Sequence, residues 1–228
     1  LTNLDVSRFK TEKCTDMSQM FDYCLKIQKI DISNFVTSQV EDMNGMFKSC
    51  EEATIIGLEK LDTQKVRDMS NMFYYARTMK SLDLSNFNVE QVSDFSSMFE
   101  NCYSLETINL DNFVTSNARM MGGMFINCQK LKEINLRKFI TDDVKNMNSM
   151  FKSCSSLTNI DLSNFKTNYV EDMDEMFLSM RHLTSLDLSS FETPRLRTME
   201  GMFRSLESCE KIIFTKKFDT SQVTNMNR

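Results

Sequence analysis

Proline, tryptophan, histidine and glycine are scarce in this 228-residue chain, which has one Pro, no Trp, one His and five Gly. None of its seven Cys forms a Cys-x-x-Cys pair, and a single His cannot complete a typical zinc site. No apolar run approaches the roughly 20 residues that cross a membrane, and no signal peptide is visible. Acidic and basic residues are interspersed at a net charge of −5, whereas a nucleic-acid surface needs clustered Lys and Arg. We therefore expect no metal, no membrane insertion within this fragment and no nucleic-acid partner.

Met and Phe are abundant instead, with 19 and 18 copies, and they follow a strict repeat. The pair Met-Phe occurs eight times at intervals of 26 residues, first at Met20-Phe21 and last at Met202-Phe203. A unit this short cannot bury its own apolar face, so successive copies must stack against one another. The interior of the stack is then committed to packing, and any binding must use its outer surfaces.

One repeat, taken from Leu157 to Met180, divides into two halves with different periods. In the first half Ile160 and Leu162 alternate with polar residues, which is typical of a strand with one buried face. A Phe follows the strand in nearly every copy, and the stacked rings are expected to form a spine. These are Phe9, Phe35, Phe87, Phe113, Phe139, Phe165 and Phe191.

The second half has the spacing of a short amphipathic helix, as in Val170, Met173, Met176 and Phe177. A Thr precedes this stripe, Thr167 in this copy, and its hydroxyl is expected to cap the helix. The pattern predicts an α/β solenoid wound as a right-handed coil, with parallel strands on the concave face and short helices on the convex face. Residues 1–228 would form one such domain of eight to nine repeats. Neither end carries a polar cap, so we interpret the chain as a fragment of a longer protein.

The motif M-F-x-x-C-x-x-L-x-x-I-D-L-S-N-F-x-T-x-x-V-x-x-M, read from Met150 to Met173, resembles the repeats of a known family. It is similar to the BspA-like leucine-rich repeat surface proteins of bacteria and some parasitic protists, and the similarity covers essentially the whole chain. This resemblance implies a leucine-rich-repeat solenoid that is secreted or displayed at a cell surface. It also implies roles in adhesion, with a protein or glycan on another cell or host surface as partner, and neither catalytic residues nor a cofactor.

One column of the repeat holds Cys in five copies, whereas Ala76 and Met180 take its place in two others. Apolar substitutes indicate buried thiols that act as small hydrophobic groups. Neighbouring copies such as Cys128 and Cys154 would be close enough for a disulfide, although parallel rungs make its geometry demanding.

An Asp or Asn column alternates with the apolar residues of the strands, and two interpretations remain open. The side chains could bond to the Ser two residues later or to the backbone, or they could form an acidic stripe for a basic partner, a sugar or a divalent cation. The middle repeats have the most varied charges, and Lys132 with Glu106 and Arg137 with Asp111 are expected to pair across strands. If the concave face binds a partner, we predict these residues: Asp83, Glu106, Asn109, Asp111, Lys132, Glu133, Asn135, Arg137, Lys138 and Asp161.

Three functions are compatible with these features. The leading hypothesis is a non-catalytic adhesion module at a cell surface that engages its partner through the concave face. An intracellular protein-interaction scaffold is the alternative, favoured by the unoxidised character of the Cys column. A carbohydrate-active β-helix enzyme is a third; it would need a local cluster of Asp, Arg or Lys that breaks the repeat, and would lack a helix in each coil.

Overall fold

A computed structural model describes residues 2–227 and shows a leucine-rich-repeat solenoid, as the repeat predicted. Each 26-residue coil, called a rung below, lies against the next. Six short strands are formed: β1 Lys29–Asp31, β2 Thr54–Ile56, β3 Ser81–Asp83, β4 Thr107–Asn109, β5 Ser185–Leu188 and β6 Lys211–Phe214. They pair in parallel as β1–β2, β3–β4 and β5–β6, and the surface that they form is called the strand face.

A second set of contacts joins the rungs more continuously than the strands do. Single parallel bridges link each rung to the following one, from Asp16–Asp42 through to Thr198–Asn225, and this column is called the bridge ladder. It passes through the half of the repeat that precedes each Met-Phe pair. The regular backbone pairing along the solenoid therefore lies mainly outside the strands that the alternating pattern predicted.

The segment predicted as a helix is a succession of turns. In the second rung the N–H of Met46 donates to the carbonyl of Met43, three residues back, at 3.2 Å. The N–H groups of Met43 and Phe47 instead donate to the next rung, to the carbonyls of Asp68 and Met72, each at 3.0 Å. An α-helix would need these donors for its own bonds between residues four apart. The prediction of short helices on the convex face is therefore wrong, and the single helical element described is a 3₁₀ turn at Leu58–Lys60.

The reason for this difference lies in the backbone just before each Met-Phe pair. The residue at this position has a positive φ in every described rung, which a right-handed helix cannot accommodate. These residues are Gln19, Gly45, Asn71, Ser97, Gly123, Ser149, Glu175 and Gly201. Apolar residues three apart fit consecutive turns as well as they fit a helix, so periodicity alone did not separate the two structures.

The Thr that recurs in the repeats also has a different role from the helix cap that was predicted. Thr37 is buried, and its hydroxyl donates to the carbonyl of Asp62 in the next rung at 2.9 Å. The same oxygen accepts the N–H of Asp62 at 2.8 Å, and Thr63 bonds to Asn88 in the same way. Because no helix begins here, the Thr hydroxyls join rungs and satisfy buried backbone groups instead of capping a helix.

The core is built from the residues that define the repeat. The Met-Phe pairs of the inner rungs are fully buried, as expected, and the Phe rings of all eight pairs stack in one series. Successive ring centroids are 5.3 to 6.4 Å apart, from Phe21 to Phe203. The predicted Phe spine after the strands is also present in parts, for example from Phe113 through Phe139 to Phe165.

The Cys column lies beside this stack, and the seven thiols are free. Cys102 and Cys154 are completely buried, and each Sγ donates to a Phe carbonyl of an earlier rung, at 3.2 and 3.1 Å. Burial raises the pKa of both thiols to about 12. They therefore behave as small core residues, which is what the apolar substitutes in their column indicated.

Candidate interaction surface

Polar side chains that follow the strands form the candidate surface, and each is held by a turn. Asn109 ends β4, and its Oδ1 accepts the N–H of Asp111 at 3.1 Å. One rung later, Oδ1 of Asn135 accepts the N–H of Arg137 at 3.2 Å. Asp161 repeats the turn with the N–H and hydroxyl of Ser163, at 3.1 and 2.7 Å. The fold thus presents a polar side chain at a fixed place in most rungs, with Gly57 and Ile213 as the exceptions.

The carboxylates of this column are stabilised by the same turns. The hydroxyl and then the backbone N–H of Ser163 lower the pKa of Asp161, and the positive charge of Arg137 lowers it further. The N–H and hydroxyl of Ser85 lower the pKa of Asp83. Local bonding to Ser, one of the two interpretations of the column, is therefore present, and it keeps these groups ionised at neutral pH.

Six of the ten predicted residues line one groove of about 450 Å³ on the strand face. These are Asn109, Asp111, Glu133, Asn135, Arg137 and Asp161, and the floor is completed by Ile108, Ile134 and Leu136. The groove is lined by three carboxylates, one guanidinium and two amides above an aliphatic floor. Such a lining offers donors and acceptors together with a small apolar contact area.

The other four predicted residues lie at the margins of this groove or outside it. Asp83 is the strand partner of Asn109 in the β3–β4 pair. Lys132 pairs with Glu106 across 3.6 Å, as the shared column predicted. Lys138 is exposed, and it occupies the position at which other rungs place an Asn that bonds to the preceding rung, as Asn164 does.

Arg137 does not form the pair with Asp111 that its column predicted. The side chain of Asp111 instead accepts a hydrogen bond from Nδ2 of Asn135 at 2.9 Å. Among the ion pairs of residues 2–227, none involves Arg137. The amide of Asn135 takes the place that the guanidinium was expected to fill, so an exposed positive charge remains in the groove.

Other grooves lie along the solenoid, and the charges in them differ. One of the same volume is lined by Asp5, Lys29 and Asp31 among others, but there Lys29 already pairs with Asp31 at 3.0 Å. A larger one of about 700 Å³ includes Arg197, which lies 3.5 Å from Glu171. The larger groove also contains Arg195, which has no ion pair among residues 2–227 but lies 4.4 Å from the centroid of the Tyr169 ring. The groove around Arg137 differs because its cation has neither an ion-pair partner nor an aromatic ring against it in the described part of the chain.

The bridge ladder carries a second column of acidic residues that the sequence analysis did not single out. It holds Asp16, Asp42, Asp68, Asp94 and Asp172, with Asn146 and Asn225 at equivalent positions. Each Asp accepts the N–H of the residue two positions later through Oδ1, for example Asp42 from Asn44 at 2.8 Å. Burial raises the pKa of Asp42, and the charges of Asp68 and Asp16 raise it further. The recurring Asp-Met dipeptide was the signal that could have revealed this column.

No group of three or more His, Cys, Asp or Glu within residues 2–227 could hold a metal ion. No helix in that range is long and apolar enough to cross a membrane.

The chain matches a known family along its whole length. The family model described as "Mycoplasma protein of unknown function, DUF285" matches residues 1–55, 49–136 and 128–228. The chain therefore belongs to this family, and the repeat-protein resemblance seen in its motif is confirmed. A search of curated proteins found no match.

Several solved leucine-rich repeat structures are similar at low identity. A leucine-rich cell surface protein of Faecalibacterium prausnitzii is 15% identical, with a TM-score of 0.40, and the match covers 93% of this chain and 79% of that one. A leucine-rich repeat protein of Bacteroides ovatus is 15% identical, with a TM-score of 0.27 and coverage of 92% and 77%. One from Leptospira interrogans is 11% identical, with a TM-score of 0.29, and this chain covers 55% of its length.

Proposed function

We propose that this protein is a non-catalytic binding module that engages a protein or glycan partner through the groove around Arg137. The observation that carries the proposal is a guanidinium without an ion-pair partner, in a groove whose other polar groups are carboxylates and amides. An exposed charge without a partner gains most from a complementary group on another molecule. Binding modules of repeat proteins also commonly use one continuous outer surface of the stack.

Display at a cell surface and a role in adhesion are part of the same proposal. They are supported by the resemblance of the repeat to surface-protein repeats. Free thiols are unusual in an oxidising environment, but four of the seven are buried, which makes them compatible with display. An intracellular scaffold would use the same groove, so the two alternatives differ in location and not in mechanism. Immunolabelling of intact cells with an antibody against this solenoid distinguishes them, because only a displayed protein is labelled without permeabilisation.

A carbohydrate-active enzyme is the less favoured proposal. Secondary structure no longer separates the two classes, because turns replace the expected helix in the coils of residues 2–227. What still argues against catalysis is that Ser163 and Arg137 lower the pKa of the groove carboxylate Asp161, whereas a catalytic acid needs a raised pKa. Incubation with a panel of polysaccharides should therefore release no reducing ends.

The groove is tested by charge reversal. The variant Lys132→Glu, Arg137→Glu, Lys138→Glu should lose binding to glycan and protein arrays on which the wild-type protein gives signals. The matched control is Lys65→Glu, Arg119→Glu, Lys145→Glu, which makes the same charge change at exposed residues beside the bridge ladder. Binding lost in the first variant and kept in the control supports the groove, whereas equal binding of both variants would place the site elsewhere.

A further inference from the structure

Four of the five tyrosines of the chain lie in one continuous strip with two cations, away from the groove around Arg137. The tyrosine–cation strip consists of Tyr23, Lys48, Tyr74, Tyr75, Arg77 and Tyr103. The Lys48 ammonium lies 5.8 Å from the ring centroids of both Tyr23 and Tyr74. The Arg77 guanidinium lies 5.9 and 5.5 Å from those of Tyr75 and Tyr103. The Tyr74 and Tyr75 rings, 5.1 Å apart, join the two halves.

Two of these tyrosines have an unfavourable backbone conformation. Tyr23 and Tyr75 have φ values of 57° and 61°, in the left-handed region that bulky side chains rarely adopt. Other rungs place small polar residues with the same conformation at this position: Ser49, Asn101, Asn127, Ser153, Ser179 and Ser205. Since Asn or Ser fits the turn with less strain, the local structure does not explain why Tyr is present. Strained residues of this kind point to a use outside the fold.

Each cation of the strip lies against two aromatic rings and also faces one carboxylate in a loose ion pair. Lys48 Nζ is 3.9 Å from Asp22 Oδ2, and Arg77 Nη1 is 3.7 Å from Glu51 Oε2. The pair of Lys166 and Asp142 elsewhere in the chain closes to 2.7 Å. Both ion pairs are therefore loose, so a carboxylate of a partner that approaches more closely can strengthen the pairing, and the rings help to fix the cations in advance.

The rings also indicate what kind of partner would fit. Sugars stack on open aromatic faces, but here each cation lies against two of the rings. Tyr23 is 68% exposed and offers aromatic surface and a hydroxyl at the start of the strip. Tyr and Arg are the residues that most often dominate protein–protein contacts, because they combine a rigid apolar area with a polar group. The strip spans three rung spacings, about 14 Å, which matches four to five residues of extended chain.

We propose that the tyrosine–cation strip is a second interaction surface, which binds a protein segment with acidic side chains beside apolar ones. The carboxylates of that segment pair with Lys48 and Arg77, and its apolar side chains cover the tyrosine rings. This inference does not depend on the groove around Arg137, because the two surfaces share no residue.

The test uses phage-displayed random peptides selected on the immobilised protein, followed by fluorescence anisotropy with the enriched sequences as synthetic peptides. We expect enriched peptides to combine Asp or Glu with aliphatic or aromatic residues. The variant Tyr75→Asn introduces the residue that Asn101 and Asn127 already show to fit this turn, so it should fold at least as well as the wild type. Its affinity for the peptides should fall by about tenfold or more, the loss typical of a central contact residue.

A matched control is available in the fifth tyrosine. Tyr169 also stacks with a cation, Arg195 at 4.4 Å, but it lies outside the strip. Tyr169→Asn should leave the affinity for the peptides unchanged, and Arg77→Glu should abolish binding through charge reversal alone. Equal binding by Tyr75→Asn and the wild type, enrichment of peptides without acidic residues, or competition by acidic polysaccharides but not by acidic peptides would each overturn the proposal.

Discussion

The Phe99 ring is the best place to test whether the stacked Met-Phe pairs stabilise the solenoid. Phe99 is completely buried, with its ring centroid 5.9 Å from that of Phe73 and 5.3 Å from that of Phe125. Phe99→Ala removes a core side chain of a type whose loss costs about 3–5 kcal/mol. The loss should fall in the upper half of this range, because the rings on both sides are fixed by their own rungs and cannot close the cavity. The rings of Phe73 and Phe125 also each lose a stacked neighbour.

The measurement is the free energy of unfolding in urea, with two variants for comparison. Phe99→Leu keeps most of the volume and should cost less than about 1.5 kcal/mol. Phe9→Ala removes a ring that is 46% exposed and should cost about 1 kcal/mol or less. Since repeat arrays can unfold in segments, protection of the neighbouring amides from hydrogen exchange should be followed in parallel. If Phe99→Ala costs no more than Phe9→Ala, the stack does not carry the stability assigned to it.

Three further predictions concern ionisable groups. Asp42→Asn should raise the free energy of unfolding at pH 7 by a few tenths to about 1 kcal/mol, because Asn146 keeps the same turn bond and like charges on adjacent rungs repel. The folded-state pKa of Asp42 is raised, so its unfavourable effect appears as pH rises, and urea midpoints of variant and wild type should converge near pH 3. Asp31 has its pKa lowered to about 2 by the Ser33 hydroxyl and Lys29, so its contribution is present above pH 4 and lost toward pH 2. An NMR titration of the Asp31 carboxyl with a midpoint near 4 would contradict this assignment. Finally, a thiol reagent at pH 8 should label Cys14 before unfolding and leave Cys102 unlabelled until the protein unfolds, as followed by mass spectrometry.

The sequence was sufficient to predict the stack and its interior. A strict 26-residue interval forces equivalent residues such as Met72 and Met98 to meet, so their burial followed from periodicity alone. The burial of the Cys column followed from the apolar residues that replace Cys at Ala76 and Met180, whereas its redox state did not follow from the sequence. The burial of the Met-Phe pairs and of the Cys column depends only on which residues occupy equivalent positions in the repeats, and these positions can be aligned from the sequence.

The conformation within each rung could not be read in the same way. Val40, Met43 and Met46 are three residues apart, which suits a helix or a series of turns equally well. What decides between them is whether the N–H of Met43 bonds within its own rung or to Asp68 of the next, and no local pattern records this. The pair expected between Arg137 and Asp111 failed for a related reason, because the amide of Asn135 lies nearer to Asp111 than the guanidinium does.

The two proposed surfaces have one property in common, which is that both lie where a column departs from its usual residue. Asp and Asn normally close the turn after the strand. In the groove this turn is closed by Asn135 and carries Arg137, a cation that has no ion-pair partner. Ser and Asn normally fill the left-handed position after Met-Phe, and Tyr23 and Tyr75 replace them in a strained conformation. The residues that recur in every repeat already stabilise each rung in the same way. A residue that departs from its column and strains the backbone therefore does not add to the stability of the stack. In a solenoid, the residues that break the pattern are therefore the first place to look for binding.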